Sequence, residues 1–511
     1  MTDITLSFEV HQPFRIRKDF FWNRKFNRRT ENLFEHYFSQ SNREIFEKVA
    51  KKCYLPANDI MLANIDEFKG EKRKFKVSFS LSGVILEQCE MYNPDVLESF
   101  RQLGETGCVE FLDQTYYHSL TSLYSDTGEF VEQVREHNRL MKDLLNFKPG
   151  IFENTEFIYN NKIAEIVESL GYKGIFTEGL ERVLGNNSPN YLYRAKGGNL
   201  RVLLRNYKLT DDMGFRFSSR NWEEYPLTAE KYSSWLANTP GDCINLFADY
   251  ETFGEHHWKE TGIFEFLRHL PRKILEWEHL SFKTPTEVVE THKPVDELDV
   301  FEVGGTISWA DLERDTSCWI GNTFQWAAFT HHRDLLERVK SSPEFYKIWK
   351  YLGISDHFYY MFSLGGGPGE VHSYFSPFDS PYNAFISYFT ALLDFDARVK
   401  AEMKQADDPF VFSIGQGKFL GKAWSLEEFY ETLKKIDIKS IRFHLERGDF
   451  QRWLERSAGS KDIARDFGVL GDGKGLSAAK LRKKVLKILS KGMGHGEDDA
   501  KAGKSVSVTH G

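Results

Sequence analysis

The chain has 511 residues, with 67 basic and 75 acidic side chains and a formal net charge of −8. Without an excess of positive charge, binding to nucleic acid or to an anionic membrane surface is disfavoured. Its five cysteines are scattered and form no C-x-x-C pair, which argues against a disulfide framework and a zinc ribbon. The start of the chain lacks the basic and apolar stretches of a signal peptide, so we expect a cytoplasmic protein.

The first half of the chain alternates short β-branched or aromatic runs with longer amphipathic stretches. The runs predicted as strands are residues 4–10, 75–81, 108–112, 150–154, 174–178 and 244–248. Between them, residues 42–68, 129–147 and 161–172 carry apolar side chains at helical spacing. This alternation predicts repeated βα units around a parallel sheet, either a barrel or an open α/β sheet, over residues 1–290.

The character of the sequence changes after residue 290. Residues 291–404 begin with a linker-like stretch and are predicted to form a mainly helical subdomain that contributes to the active-site cleft. Residues 405–490 are predicted to form a small C-terminal module, α/β or helical. Residues 491–511 are Gly-rich and polar, which predicts a disordered tail.

Functional side chains of parallel α/β sheets collect at the carboxyl ends of the strands. His11, Glu156 and Asp249 each follow a predicted strand. Asp249 also opens a stretch, 248–258, that is dense in carboxylates, histidines and aromatic rings, including Glu251. Burial among such rings raises the pKa of a carboxylic acid, which suits acid/base catalysis, although a solvated acidic loop is an alternative interpretation.

A metal site is a third interpretation of the same stretch. Its ligands would be Asp249, His256 and His257. Adjacent histidines do not place both imidazoles on one face, and the chain has no H-E-x-x-H motif. We therefore expect no metal there.

Glu156 lies between a predicted strand and a predicted helix. It could simply interact with the helix dipole, with Asn154 or Thr155 as the N-cap. Alternatively, neighbouring Asn and Tyr side chains could keep its carboxylate ionised for attack on an anomeric carbon. The spacing alone leaves both interpretations open.

Two later stretches combine aromatic rings with polar groups. The glycine-rich stretch 365–385 lacks the Lys-Ser/Thr ending of a P-loop, so its polar side chains could line a groove instead. The stretch 307–319 carries tryptophans and aspartates suited to sugar faces and hydroxyls, or to an ordinary helical cap. We predict that at least one of Trp309, Trp319 and Tyr374 lines the catalytic cleft.

Taken together, five segments resemble the five ordered motifs of glycoside hydrolase family 57. The segments are HQP at 11–13, GCVE at 107–110, ENTEFIY at 153–159, ADYETFGEHHW at 248–258 and VHSYFSPFDSPYNAF at 371–385. The resemblance implies that Glu156 is the nucleophile, that Asp249 is the general acid/base, and that the fifth segment contacts substrate. The third and fifth segments are most similar to the archaeal α-amylase-like branch.

The chain departs from the family pattern at two places. Glu9 stands where many members have a second His before the HQP motif, and Cys108 stands where Gln is common. We therefore expect the subsite next to the cleaved bond to differ from that of the glucanotransferases.

The resemblance also implies a fold and a chemistry. The expected fold is an incomplete TIM-type (β/α)7 barrel, with a helical region that completes the catalytic face and a small C-terminal module. The expected reaction retains the anomeric configuration and requires no metal or other cofactor. The candidate substrate-binding residues are His11, Gln12, Glu110, Glu251, His256, Trp309, Asp315, His372, Tyr374 and Asp379.

We thus predict a retaining glycoside hydrolase or transglycosylase that acts on starch- or glycogen-type α-glucans by double displacement. One alternative is a 4-α-glucanotransferase or branching enzyme on the same scaffold. Another, from a different class, is a glucan-binding or regulatory protein with weak catalysis. The expected partner is an α-glucan or maltooligosaccharide, with no nucleic acid and no membrane, and the sequence leaves homo-oligomer formation open.

Overall fold

The computed structural model describes residues 1–20, 32–363, 376–415 and 417–494. The chain divides into two compact units. Unit 1 comprises Met1–Asp334 and Tyr346–Ala391, and unit 2 comprises Leu335–Phe345 and the chain from Leu392 onward. None of the helices in these described ranges combines the length and apolar character that a membrane span requires.

Unit 1 is built on a mainly parallel sheet in which ten strands are described. These are β1 Thr2–Val10, β2 Val77–Leu81, β3 Val109–Leu112, β4 Ile151–Glu153, β5 Gly174–Glu178, β6 Tyr193–Ala195, β7 Arg201–Arg205, β8 Cys243–Asp249, β9 Leu280–Phe282 and β10 Glu297–Leu298. Only the β6–β7 pair is antiparallel. β9 adds to the start of β1, and β10 adds to β6.

Seven parallel strands of this sheet follow one another around a ring, in the order β1, β2, β3, β4, β5, β7 and β8. Two of the strand pairs in this ring are joined by a single pair of residues. β7 pairs with β8 through Arg205 and Asn245, and β3 meets β4 through a parallel bridge between Asp113 and Phe152. This arrangement is the predicted incomplete (β/α)7 barrel.

The ring strands are shielded from solvent, although they include polar side chains such as Thr5, Ser7 and Ser80. β1, β2 and β8 are buried almost along their whole length, as expected for strands with helices outside and packed side chains inside. Ile4, Leu6, Phe8, Phe79 and Leu246 belong to one apolar core. A second apolar cluster, around Phe157, Phe176 and Phe247, lies near the carboxyl ends of neighbouring strands.

Helices alternate with the ring strands along the chain, and polar side chains cap the beginnings of two of them. The Ser82 hydroxyl caps Gly83–Tyr92, and the Asn160 side chain caps Asn161–Ser169. The α-helices described up to residue 291 are Leu33–Tyr37, Ser41–Val49, Leu55–Glu67, Gly83–Tyr92, Pro94–Glu105, Gly128–Leu145, Asn161–Ser169, Glu181–Leu184, Tyr207–Asp211, Ala229–Asn238, Ile263–Leu275 and Pro285–Thr291.

Between residues 300 and 402 the described part of the chain is mainly helical, and residues 306–316 form a loop. The helices are Glu302–Gly305, Ser317–Ile320, Thr323–Asp334, Leu336–Val339, Pro343–Leu352, Ser355–Tyr359 and Pro381–Glu402. Within unit 1, this region joins the barrel through an antiparallel bridge between Ser119 and Ile354 and another between Tyr159 and Ile307.

Unit 2 contains an antiparallel hairpin followed by five helices in its described part. The hairpin strands are β11 Gln405–Ile414 and β12 Lys418–Ser425, and the helices are Leu426–Lys435, Ile438–Arg447, Asp449–Arg456, Lys461–Leu470 and Ala478–Gly492. Its own core is formed by rings such as Phe410, Phe412 and Phe429. Most of the predicted tail, 495–511, lies outside the described residues.

Candidate active site

One cavity of about 220 Å³ opens at the carboxyl ends of the barrel strands, and all its lining residues belong to unit 1. It brings together side chains from the strand ends and from the helical region. The lining residues are Glu9, His11, Gln12, Pro13, Arg15, His118, Glu156, Arg205, Asp211, Gly214, Phe215, Ala248, Asp249, Glu251, Thr252, His256, Trp309, Ala310, Asp311, Leu312, Arg314, Trp319, Asp356 and Tyr359.

Glu156 lies three residues beyond the end of β4, and each of its carboxylate oxygens has a donor. The indole Nε1 of Trp309 donates to Oε2 at 2.9 Å, and the hydroxyl of Ser355 donates to Oε1 at 2.8 Å. Glu156 and Phe157 both adopt left-handed backbone angles, with φ of 60° and 57°. Non-glycine residues rarely do so, and such strain clusters at functional sites. The backbone therefore directs this carboxylate into the cavity at a conformational cost.

Asp249 is the last residue of β8, and its Cα lies opposite that of Glu9 in the β1–β8 ladder. Burial raises the pKa of Asp249 to about 7, and the nearby Glu156 charge adds to this rise, whereas Arg205 and His118 lower it. A carboxylic acid with a pKa near neutrality can give a proton to a leaving oxygen and take one back.

His118 stands between two carboxylates. Its Nδ1 donates to Gln114 Oε1 at 3.0 Å, while Nε2 lies 3.0 Å from Glu9 Oε1 and 3.5 Å from Glu156 Oε1. Burial alone would lower the pKa of His118, but the hydrogen bond with Glu156 and its charge outweigh burial and raise that pKa. The ring is therefore suited to carry a positive charge beside the nucleophile candidate.

His11 links the barrel to the helical region. The Ser82 hydroxyl donates to its Nδ1 at 2.7 Å, and its Nε2 donates to Asp356 Oδ2 at 3.0 Å. Burial lowers the pKa of His11 to about 4, so the ring is neutral near pH 7. Burial opposes ionisation of Asp356, but interaction with His11 and His118 outweighs it and lowers the pKa of Asp356. The rings of His11 and His118 stack, with centroids 4.1 Å apart.

Glu251 and Gln12 form a polar group deeper in the cavity wall. The Tyr54 hydroxyl donates to Glu251 Oε1, and Gln12 Nε2 donates to the same oxygen at 3.4 Å. Burial raises the pKa of Glu251 to about 8. Since Arg15 donates to Gln12 Oε1 at 2.9 Å, the orientation of the Gln12 amide is defined.

The two adjacent histidines have different surroundings. His256 lines the cavity, and burial lowers its pKa to about 3. His257 points elsewhere, with its ring nitrogens 2.8 Å from Ser218 Oγ and 2.9 Å from Gly214 O. Because both nitrogens of His257 are engaged, they are not available to the metal site considered above. The described ranges contain no group of three or more His, Cys, Asp or Glu side chains that could bind a metal ion.

Two arginines and two carboxylates close a ring of ion pairs beside the cavity, here called the arginine–carboxylate ring. Arg205 donates to Glu178 at 2.8 Å and to Asp211 at 2.7 Å, and Arg314 donates to the same two carboxylates at 2.7 Å each. Arg314 also donates to the backbone oxygen of Trp309 at 3.0 Å. The ring thus fastens the loop that carries Trp309 to the ends of β5 and β7.

Three aromatic side chains face the cavity from the helical region and its loop. Trp309 is half-buried and stacks on Phe157, with ring centroids 4.8 Å apart and planes at 3°. Tyr359 and Trp319 also line the cavity, although Trp319 is fully buried. Trp309 is therefore the partly exposed ring that contacts the Glu156 carboxylate directly.

Several predicted substrate-binding residues lie away from the cavity. Glu110, in β3, accepts hydrogen bonds from the backbone N–H and the hydroxyl of Thr286, at the beginning of helix Pro285–Thr291. Asp315 accepts from the N–H of Ser317, and Asp379 is exposed. His372 and Tyr374 lie outside the described residues.

The cavity-wall residues that sequence reasoning missed include His118, Arg205, Arg314 and Asp356. Arg205 ends β7, whose short run RVLLR was not recognised as a strand. His118 follows β3, so the rule that directs attention to the carboxyl ends of strands could have found both residues. Asp356 and Arg314 carry no comparable signal, because they come from a helix and a loop far along the chain.

Comparison with known proteins identifies a family. A family model described as "Glycosyl hydrolase family 57" matches residues 5–301. A protein of Methanocaldococcus jannaschii, whose name as an alpha-amylase is itself provisional, is 47% identical over 415 residues, which are 79% of this chain and 86% of that protein.

Two solved structures share the fold. The 4-alpha-glucanotransferase of Thermococcus litoralis has a TM-score of 0.53 at 15% identity, over 82% of this chain and 61% of that one. A family 57 branching enzyme of Thermococcus kodakaraensis has a TM-score of 0.54 at 12% identity, over 85% of this chain and 94% of that one. The family match and the identity to the archaeal relative show that the chain belongs to glycosyl hydrolase family 57.

Proposed function

We propose that this protein cleaves α-glucosidic bonds of starch- or glycogen-type α-glucans by double displacement. In this mechanism, Asp249 protonates the glycosidic oxygen while Glu156 attacks the anomeric carbon. Asp249 then takes a proton from water or from a sugar hydroxyl, which releases the covalent glycosyl-enzyme intermediate.

One observation carries the proposal: a carboxylate with a donor on each oxygen and a carboxylic acid with a raised pKa line the same cavity. Glu156 is held in place for attack, and Asp249 can carry a proton near neutral pH. Two carboxyl groups with such different environments are the pattern of a nucleophile and an acid/base. His11, Gln12, Glu251, His256 and Trp309 surround them and are proposed to bind the sugar.

The nature of the acceptor distinguishes hydrolysis from transfer, because both reactions use the same intermediate. Solved structures with this fold include a glucanotransferase and a family 57 branching enzyme, and the M. jannaschii relative carries an alpha-amylase name. We propose hydrolysis as the main activity, because the chain is more similar in sequence to that relative, at 47% identity, than to the two solved structures, at 15% and 12%. The polar cavity wall supplies contacts for either acceptor.

Product analysis with maltoheptaose tests the proposal. An amylase forms only shorter chains, a 4-α-glucanotransferase also forms longer linear ones, and a branching enzyme forms α-1,6 linkages. Glu156→Gln should lower the rate by at least about 10³-fold, since it removes the nucleophile. Glu165→Gln, an exposed position on helix Asn161–Ser169, is the matched control and should retain wild-type activity. A wild-type protein that binds glucans and cleaves none would support the binding-protein alternative instead.

We also propose that the protein works in the cytoplasm. All five of its cysteines are free and buried, which is compatible with a reducing compartment. Fractionation of the source cells would test this location.

A further inference from the structure

Glu9 is a buried carboxyl group in the cavity that the proposed mechanism does not use. It lies at the carboxyl end of β1 and is only 3% exposed, yet it lines the cavity. Its Cα pairs with that of Asp249 on one side and with that of Ser80 on the other. Glu9 therefore stands beside the acid/base candidate, at the level where the cleaved bond must lie.

One oxygen of this carboxyl group, Oε1, has no hydrogen-bond partner among the described residues. Oε1 is buried and accepts no hydrogen bond, because the nearby His118 Nε2, at 3.0 Å, is not aligned with it. The same nitrogen also lies 3.5 Å from Glu156 Oε1, and a single N–H cannot serve both carboxylates well. A buried polar group without a partner is costly, and such a group in a native protein calls for an explanation.

The surroundings favour the neutral form of Glu9. Burial raises its pKa well above the ordinary value, and the negative charges of Glu153, Glu156, Asp249 and Glu251 raise it further. A neutral carboxylic acid offers one O–H donor and an acceptor oxygen. A sugar hydroxyl has the complementary pair, since it also donates once and accepts.

We propose that Glu9 is a specificity-determining residue that hydrogen-bonds one hydroxyl group of the sugar whose anomeric carbon faces Glu156. This inference rests on the proposed function and deepens it, because it assigns a sugar contact to a side chain that replaces the more usual histidine. The bond would satisfy Glu9 only when a correctly oriented sugar occupies the cavity.

The test combines two Glu9 variants with substrates that lack single hydroxyls. The parent substrate is 4-nitrophenyl α-maltotrioside, and its analogues lack the 2-, 3- or 6-hydroxyl on the ring that bears the nitrophenyl group. Glu9→Leu removes both the donor and the acceptor, whereas Glu9→Gln keeps one of each. We expect Glu9→Leu to lower kcat/KM on the parent by about 100-fold and Glu9→Gln by about 10-fold or less.

The decisive result is non-additivity. One analogue lacks the hydroxyl that Glu9 binds, and the wild type should cleave it with a much lower kcat/KM than the parent substrate. In Glu9→Leu, kcat/KM on this analogue should be less than about 3-fold below that variant's value on the parent. The other two analogues should cause similar losses in both proteins. Melting temperatures of the variants exclude simple unfolding, and Glu9→Gln provides the comparison if Glu9→Leu is unstable.

Two outcomes would overturn the inference. In the first, each of the three missing hydroxyls lowers kcat/KM by the same factor in Glu9→Leu as in wild type, which would show that Glu9 does not contact the sugar. In the second, kcat/KM of Glu9→Leu on the parent substrate is within about 3-fold of wild type, which would show the same. Failure of the proposed function looks different. In that case the wild type would cleave neither the parent substrate nor maltoheptaose, and the assignment of Glu9 would fall with it.

Discussion

Trp309 holds one oxygen of the proposed nucleophile, and replacing it with Phe tests how much this contact matters. Phe lacks the indole N–H that donates to Glu156 Oε2 at 2.9 Å. It keeps an aromatic ring that can stack on Phe157, where the tryptophan lies 4.8 Å away in a parallel orientation. The substitution therefore removes the hydrogen bond while keeping most of the packing.

The magnitude follows from the two donors on Glu156. A hydrogen bond to a charged group contributes about 1.5–3 kcal/mol, and 1.36 kcal/mol corresponds to a tenfold change in rate. Loss of the Trp309 bond in the transition state should therefore lower kcat by about 10- to 100-fold. Ser355→Ala removes the other donor, on Oε1, and should have an effect of similar size. The double variant should lose more than the product of the two, because His118 at 3.5 Å is then the nearest remaining donor.

The assay is kcat on maltoheptaose, measured with melting temperature for each variant. Trp326→Phe is the matched control, because Trp326 is a largely exposed tryptophan of helix Thr323–Asp334 that does not line the cavity. It should keep wild-type kcat. A Trp309→Phe enzyme with kcat within about 3-fold of wild type and an unchanged melting temperature would refute the idea that this bond orients the nucleophile.

Three further predictions concern protons and ion pairs. The pKa of Asp249 is raised to about 7, so the acid form is lost above that pH and kcat/KM should fall about tenfold per pH unit on the alkaline side; a profile flat to about pH 9 would exclude Asp249 as the acid. Arg314→Lys cannot bridge Glu178 and Asp211 as the guanidinium does, so kcat and the melting temperature should both fall, by about 10-fold and a few degrees; unchanged values of both would contradict a positioning role for Arg314. Burial raises the pKa of Glu153 from 4.5 to about 8, so the folded state binds this proton more tightly than the unfolded state, and stability falls as pH rises between these values. The difference in melting temperature between Glu153→Gln and wild type should therefore be more favourable to the variant at about pH 8.5 than at about pH 5. An equal difference at both pH values would contradict this account.

Most of the barrel could be predicted from local sequence patterns. Six of the seven ring strands were predicted, because each is a short run rich in β-branched or aromatic residues that stands between longer stretches. β7 was missed, since RVLLR begins and ends with arginine. The strand-end rule also placed His11, Glu156 and Asp249 at equivalent points of three βα units, and the structure brings all three to one cavity. These features are local in sequence, which is why a pattern within a few residues could reveal them.

The groups that act on those side chains could not be predicted, because they come from segments far apart in the chain. Ser355 and Asp356 reach Glu156 and His11 across 199 and 345 residues of sequence, and no local pattern encodes such a contact. The same holds for Arg314, which joins Glu178 and Asp211 through a loop that the sequence suggested was helical. Glu110 accepts hydrogen bonds from the distant Thr286, and Asp315 accepts one from the neighbouring Ser317. Residue type and spacing indicate which side chains can do chemistry, whereas the pKa, orientation and partners of each depend on burial and on distant segments that folding brings together.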